Sequence, residues 1–571
     1  MLRQLIAALL VVGSFALSME AQTPRDRSAP APVGTGRIRG RVVAADSGAP
    51  LRRAQVWVGS YELRVNRTVS TDADGRFDVS DLPAGSYSLT VGRNGYASLQ
   101  FGQQRPFEAG RRLELANGQL IDRIDFALPP GSVITGRVTD QLGEPVPGIH
   151  IEAMRHLYLA GGEKQLVSVG MHGTVSVTND LGEFRVAGLM PGTYVLRASA
   201  GADGGILNGT APGTQLIGGR LAYATTYYPG AVSPEQAEPI SVGVGDMTTA
   251  SFALSTARLT RVSGTVRDSQ GRPVTRASIG LRSRTPTTVS TMTGTWLQGS
   301  NGQFSIDNVP PGDYSIEVVP MSTPARSAAN AEFNEVGSVP FTAAGQDIRD
   351  MIITTTPGAT VSGRVIFEGT SKSAKPDRVD AHAPDHRSTV VHRRAGDNGA
   401  IDPGGRFQLR GIIGRAIFVT GFANYSASDA VWSIKSVTLN GADITDIPLD
   451  IPSVGEISGI EIVMTDTPTR LSGTVSNARR ETVKDYVVVV LPERLQEGTL
   501  PSRFTRTARP NQEGRYELKG LPAGNYLAVA IPTLEFGSEW DPAFRKEVEH
   551  IAKRFRLTHG QIATLDLELT P

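Results

Sequence analysis

Cysteine is absent from all 571 residues. Disulfides, thiolate metal ligands, a cysteine nucleophile and a lipidated cysteine are thereby excluded, so packing alone must hold the chain together. Charge of one sign is missing as well: 57 Lys and Arg stand against 56 Asp and Glu, spread rather than blocked, for a formal charge of +1. The basic stripe that a phosphate backbone demands is not there, and nucleic acid is not an expected partner. Aromatic residues make up only 6%. Past the amino terminus no apolar run approaches the roughly 20 residues that span a bilayer, so no transmembrane segment is expected in the mature chain.

Catalytic signatures are missing too. None of the 8 histidines opens an HExxH motif, no GxSxG elbow occurs, and neither a P-loop nor a GxGxxG follows a strand. These would bring together the groups of a zinc peptidase, a serine hydrolase or a nucleotide site. Two carboxylates facing across a cleft would suffice for a glycosidase, but small sandwiches spend their interior on packing and leave little room for a deep pocket. The sequence is therefore read as that of a protein that is not an enzyme and needs no cofactor.

What the chain does have is glycine, 63 residues, and proline, 36, a balance that suits short strands and tight turns. At its start Arg3 precedes the apolar run Leu5 to Leu17, with small residues Ala16, Ser18 and Ala21 behind it. This is the pattern of a secretory signal cleaved between Ser18 and Gln22, and it places the mature chain in the periplasm, on the outer surface or in the medium. The stretch Thr23 to Gly36, rich in Pro, Ala and Arg, reads as a flexible lead-in.

One pattern then recurs five times. It opens as apolar-x-Gly-x-Val at Ile38-Arg-Gly40-Arg-Val42, Ile134 to Val138, Val262 to Val266, Val361 to Val365 and Leu471 to Val475. The two apolar residues and the glycine between them share one face of a strand, and the glycine leaves room for a neighbour to come close. Each copy later carries a glycine turn and an aromatic-polar-aliphatic strand: Gly75-Arg-Phe77-Asp-Val79, Gly182 to Val186, Gly302 to Ile306, Gly405 to Leu409 and Gly514 to Leu518. A Pro-Gly or Ala-Gly turn and a tyrosine follow at Tyr87, Tyr194, Tyr314 and Tyr526, while the fourth copy has Gly411-Ile-Ile-Gly414 and no tyrosine. The tyrosine after such a turn reads as a tyrosine corner, with its ring in the core and its hydroxyl on nearby backbone.

These residues resemble the carboxypeptidase regulatory-like domain, a transthyretin-like β-sandwich related in shape to starch-binding and other carbohydrate-binding modules. The likeness is strongest from Thr71 to Tyr96, good in the second and third copies, confined to the second half of the fifth and to the ends of the fourth. The arrangement resembles large exported repeat proteins of the Acidobacteria type, also in Tyr223 to Gly230 and Lys435 to Thr445. The resemblance implies an accessory, non-catalytic sandwich, since in metallocarboxypeptidases the catalytic domain is separate. A similar module precedes the barrel of some outer-membrane receptors, but five copies leave no room for a barrel here.

The expected fold is all-β: about five tandem Ig-like or transthyretin-like Greek-key β-sandwiches with one short C-terminal helix. The expected bounds are a signal peptide over 1–21, a linker over 22–36 and sandwiches over 37–130, 131–257 with an insertion, 258–357, 358–468 in divergent form and 469–571. Phe544, Val548, Ile551, Ala552 and Phe555 keep helical spacing and predict an amphipathic helix on the last sandwich.

Two clusters hold residue types that ligate metals. His382, His386 and His392, with Asp380 and Asp385, lie among arginines and read as a solvated stretch; Asp72-Ala-Asp74-Gly75 lacks the further ligands of a calcium loop and reads as a hairpin turn. Neither is expected to hold a metal. Tyr223, Tyr227, Tyr228, Trp296 and Trp432 are the candidate ligand-binding residues, because flat rings stack on sugars and anchor protein contacts. The expected partner is a polysaccharide or a cell-surface protein. The competing readings are a spacer that binds nothing and an accessory part of a carboxypeptidase or glycan-processing system.

Overall fold

Alternating apolar residues make each opening segment a strand with one buried face. In Gly36–Ala44, Ile38, Val42 and Ala44 are buried. The chain is described by a computed structural model over residues 34–570, apart from 61–62, 160–161, 170–174, 201–215, 219–220, 285–292, 299–300, 321–334, 385–389, 392–398, 422–431 and 495–502. The leader and most of the lead-in, residues 1–33, fall outside the described residues.

The first sandwich shows the plan. Strand Gly36–Ala44 lies between Arg76–Leu82, antiparallel, and the parallel returning strands Leu120–Ile121 and Phe126–Leu128. The facing sheet places Gln55–Ser60 between Val65–Ser70 and Gly85–Gly92. Ile38, Val56, Phe77, Tyr87 and Leu89 close the core between the sheets. The second, third and fifth copies repeat the plan around their own cores. In the fourth, the chain crosses without a break: Arg406–Gly421 is one long strand pairing with Gly358–Glu368 at one end and Arg378–His382 at the other. Gly411 and Gly414, both at positive φ, allow the bend that a Pro-Gly turn makes elsewhere. The all-β tandem architecture agrees with the sequence reading, and the cores stay separate rather than merging around a polar cavity.

The opening glycines have one shared cause. A Cβ at Gly40, Gly136, Gly264, Gly363 or Gly473 would lie 1.9, 2.1, 1.9, 2.0 or 2.1 Å from the carbonyl oxygen of Ile124, Ala250, Met351, Ile460 or Leu565. The returning strand crosses directly over the glycine, and each glycine faces the repeat's aromatic residue, Phe77, Phe184, Phe304, Phe407 or Tyr516. The tyrosine corner is present in three copies, where Tyr87, Tyr194 and Tyr526 donate to the carbonyls of Pro83, Met190 and Pro522 at 2.7, 2.6 and 2.7 Å. In the third copy Tyr314 stacks on Phe341.

The C-terminal helix is shorter than its spacing predicts. It spans Pro542–Val548, capped by the Asp541 carboxylate accepting from the Ala543 N–H at 2.8 Å. Val548 and Phe544 pack on the back of the last sandwich. Phe555 instead belongs to the edge strand Lys553–Leu557, its ring stacked on Tyr526 at 5.6 Å. A sheet edge and an aromatic partner outweigh helical periodicity there.

Candidate binding cleft between sandwiches

The first, second and last sandwiches meet, and the contact is built from residues outside the repeat pattern. After strand Leu99–Gln100, a loop carries Phe107, at φ 59, away from its own sandwich. Glu108 holds the loop by accepting from the N–H groups of Gln104 and Arg105 at 3.0 and 3.3 Å. From the last sandwich, Arg509 reaches the same carboxylate at 2.9 Å, with side-chain exposures of only 6% and 4%. Arg509 also donates to the Ala109 carbonyl and to Asp485, both at 2.8 Å, and Asp485 pairs with Arg111 of the first sandwich. Two guanidinium groups thus face two carboxylates, which offsets the desolvation of each. Backbone joins the two sandwiches as well, the Phe536 N–H donating to the Phe107 carbonyl at 3.0 Å.

The second sandwich supplies the other wall. Its hairpin, His150–Leu159 with Glu163–Ser168, pairs Arg155 with Val167 and Leu157 with Gln165. Met154 and Leu166, on the opposite face, are buried with Tyr227. Successive strand residues alternate faces, so Arg155, Leu157 and Leu159 turn toward the first and last sandwiches. The Arg155 guanidinium carbon lies 3.4 Å from the Phe107 ring centroid and the group pairs with Glu535. Phe107 meets Tyr194 edge-on, centroids 6.1 Å apart, and a Cβ at Gly192 would come within 2.7 Å of the Phe107 ring. A side chain of the first sandwich is thereby seated on the tyrosine corner of the second. Burial pushes the Tyr194 hydroxyl well above the ordinary tyrosine range.

Between these walls lies a cleft of about 570 Å³, lined in part by Leu157, Leu159, Val167, Met190, Tyr194 and Phe536. Its size falls within that of small-molecule sites, which favour domain junctions. Glu108 and Arg155 are its only charged lining residues among those described, and each is paired. Phe536 remains 59% exposed at its mouth. The arrangement can bury an apolar body; among its described lining residues there is no nucleophile with a base beside it.

The five aromatic residues singled out in the sequence lie elsewhere. Tyr227, on Thr226–Tyr227, is buried in the satellite core of the second sandwich. Tyr228 is half-buried with its ring edge-on to Phe252 at 5.9 Å, and Tyr223 packs at the margin of the same sandwich's core, its hydroxyl raised by burial. Trp432 is 5% exposed against Phe367, its Nε1 donating to the Ser373 carbonyl at 3.4 Å. Trp296 sits on strand Thr293–Gln298, and its side chain falls outside the described residues.

His382 is exposed at the end of its strand; His386, His392 and Asp385 lie outside the described residues. Asp72 accepts from the N–H groups of Asp74 and Arg76 at 2.9 and 2.8 Å, and Asn179, Asp402 and Asn511 make the corresponding bonds in other copies. That is a turn-forming role. Among the described residues no group of three or more His, Asp or Glu is placed to hold a metal ion, and no helix is long and apolar enough to cross a membrane.

Fold and junction define a multidomain protein of tandem β-sandwiches. Residues 37–129, 133–204 and 261–338 match the carboxypeptidase regulatory-like domain, so the first three sandwiches carry that domain's pattern. No curated protein matches the chain. It is similar at low identity to several solved structures. The streptococcal ancillary pilin shares 13% identity over 56% of this chain and 99% of its own, with a TM-score of 0.22. Two B repeat units of the collagen-binding protein of Staphylococcus aureus share 12% over 76% and 100%, at 0.14. The major pilin subunit of Bacillus cereus shares 12% over 56% and 99%, at 0.15.

Proposed function

We propose that this chain is a non-catalytic binding protein working outside the cytoplasm, with the cleft between its first, second and last sandwiches as the ligand site. The carrying observation is the composite apolar cleft, whose walls come from three sandwiches. A ligand-observed NMR screen of an apolar fragment set tests it. Hits are expected with the intact chain and not with Leu157→Trp, which fills the cleft; a chain that melts normally and returns no hit sinks the reading.

Export is supported by the apolar leader Leu5 to Leu17 behind Arg3. Mass spectrometry of the chain expressed with its leader in a bacterium should find a mature end between Ser18 and Gln22. A chain retaining Met1 in the cytoplasmic fraction would refute it.

A rigid scaffold without a ligand is the second reading, favoured by the buried Glu108–Arg509 pair that locks the junction. It predicts a silent screen with the junction intact.

A further inference from the structure

We infer that the ligand of this cleft is a small uncharged molecule with a fused-ring or branched hydrocarbon body, an inference that rests on the cleft being the binding site. Charge compensation is the first argument. The Arg155 guanidinium is paired with Glu535 and capped by the Phe107 ring, with only its buried Nε–H left without an acceptor, and Glu108 is held by Arg509 and two backbone N–H groups. A charged ligand would give up its water and find no free counter-charge, which is costly in an apolar setting.

Hydrogen-bonding capacity is the second. Gln103 spends its amide oxygen on the Gln100 N–H at 3.0 Å and its amide nitrogen on the Arg105 carbonyl at 3.2 Å. The Gln100 side-chain oxygen accepts from the Gly110 N–H at 2.9 Å, the Tyr194 hydroxyl donates to the Met190 carbonyl, and Ser98 and Ser168 are the other uncharged polar residues of the lining. A sugar presents hydroxyls on every side and would leave several unsatisfied against Leu157, Leu159, Val167 and Met190, whereas a hydrocarbon body loses nothing there. The volume, about 570 Å³, suits a molecule of drug-like size rather than a folded partner.

Two fluorescent probes with nearly the same ring system separate the possibilities: N-phenylnaphthylamine, uncharged, and anilinonaphthalene sulfonate, anionic. The full chain should bind the first at one site per molecule and the second about tenfold more weakly or worse. Leu157→Trp should abolish binding of the uncharged probe, and Leu157→Glu should weaken it comparably, each with a melting profile like that of the parent. Equal or tighter binding of the anionic probe, lost in Leu157→Trp, would overturn the ligand class and leave the cleft as the site. Binding that survives Leu157→Trp places the probe elsewhere and overturns the inference. No binding of either probe to a normally melting chain removes the cleft as a site altogether.

Discussion

At the scale of the residue, the opening glycine of each copy is the position with the least freedom to change. Gly473 has the Leu565 carbonyl oxygen where a Cβ would be, so Gly473→Ala must push the returning strand off the sheet. A loss of about 3 kcal/mol is expected, the upper end for overpacking. Calorimetry should show the transition of the last sandwich moving down while the others hold.

The buried tyrosines of that sandwich make a second prediction. Burial raises the Tyr486 hydroxyl from the ordinary value near 10 to about 12. A group raised on folding favours the native state below its unfolded value, and that advantage disappears as pH climbs toward the folded one. The last sandwich should therefore weaken between about pH 10 and pH 12, with tyrosinate absorbance appearing together with unfolding. Tyr486→Phe should flatten that segment of the profile; an unchanged profile would count against it.

At the scale of the element, the fold was legible because each copy writes its strands with the same local marks. A glycine under a crossing carbonyl, an aromatic facing it and a tyrosine after a turn are all set by contacts within about a hundred residues. The one short C-terminal helix is present, but helical periodicity carries on beyond its end at Val548. Phe544 and Val548 do keep to a helix, but Phe555 has Tyr526 to stack on and a free sheet edge to join. The Asp541 cap fixes where the helix starts, and Asp541→Ala should cost about 1 kcal/mol, read as a lower melting temperature of the last sandwich.

At the scale of the whole molecule, the cleft was not legible at all. Arg155 and Glu535 are separated by 380 positions and Arg111 and Asp485 by 374. Single apolar residues in loops, such as Phe107 and Phe536, carry no period that would announce a partner. The aromatic residues that looked available, Tyr227 and Trp432, serve interiors. The junction is open to test through its ion pair: Arg509→Met leaves the Glu108 carboxylate buried without a counter-charge, at a cost of about 3–5 kcal/mol. X-ray scattering should then report a larger radius of gyration, and adding Glu108→Gln should recover much of the compact form.

Seating the first sandwich on the last also bears on how the protein would respond to force. A linear string of sandwiches passes tension from one bead to the next. Here a pull applied across the first and last would be met at the outset by the Phe107–Phe536 backbone bond and the Glu108–Arg509 pair, and the sandwiches between would feel little until those parted. In a single-molecule stretching trace the earliest event should be a release of slack with every sandwich still folded.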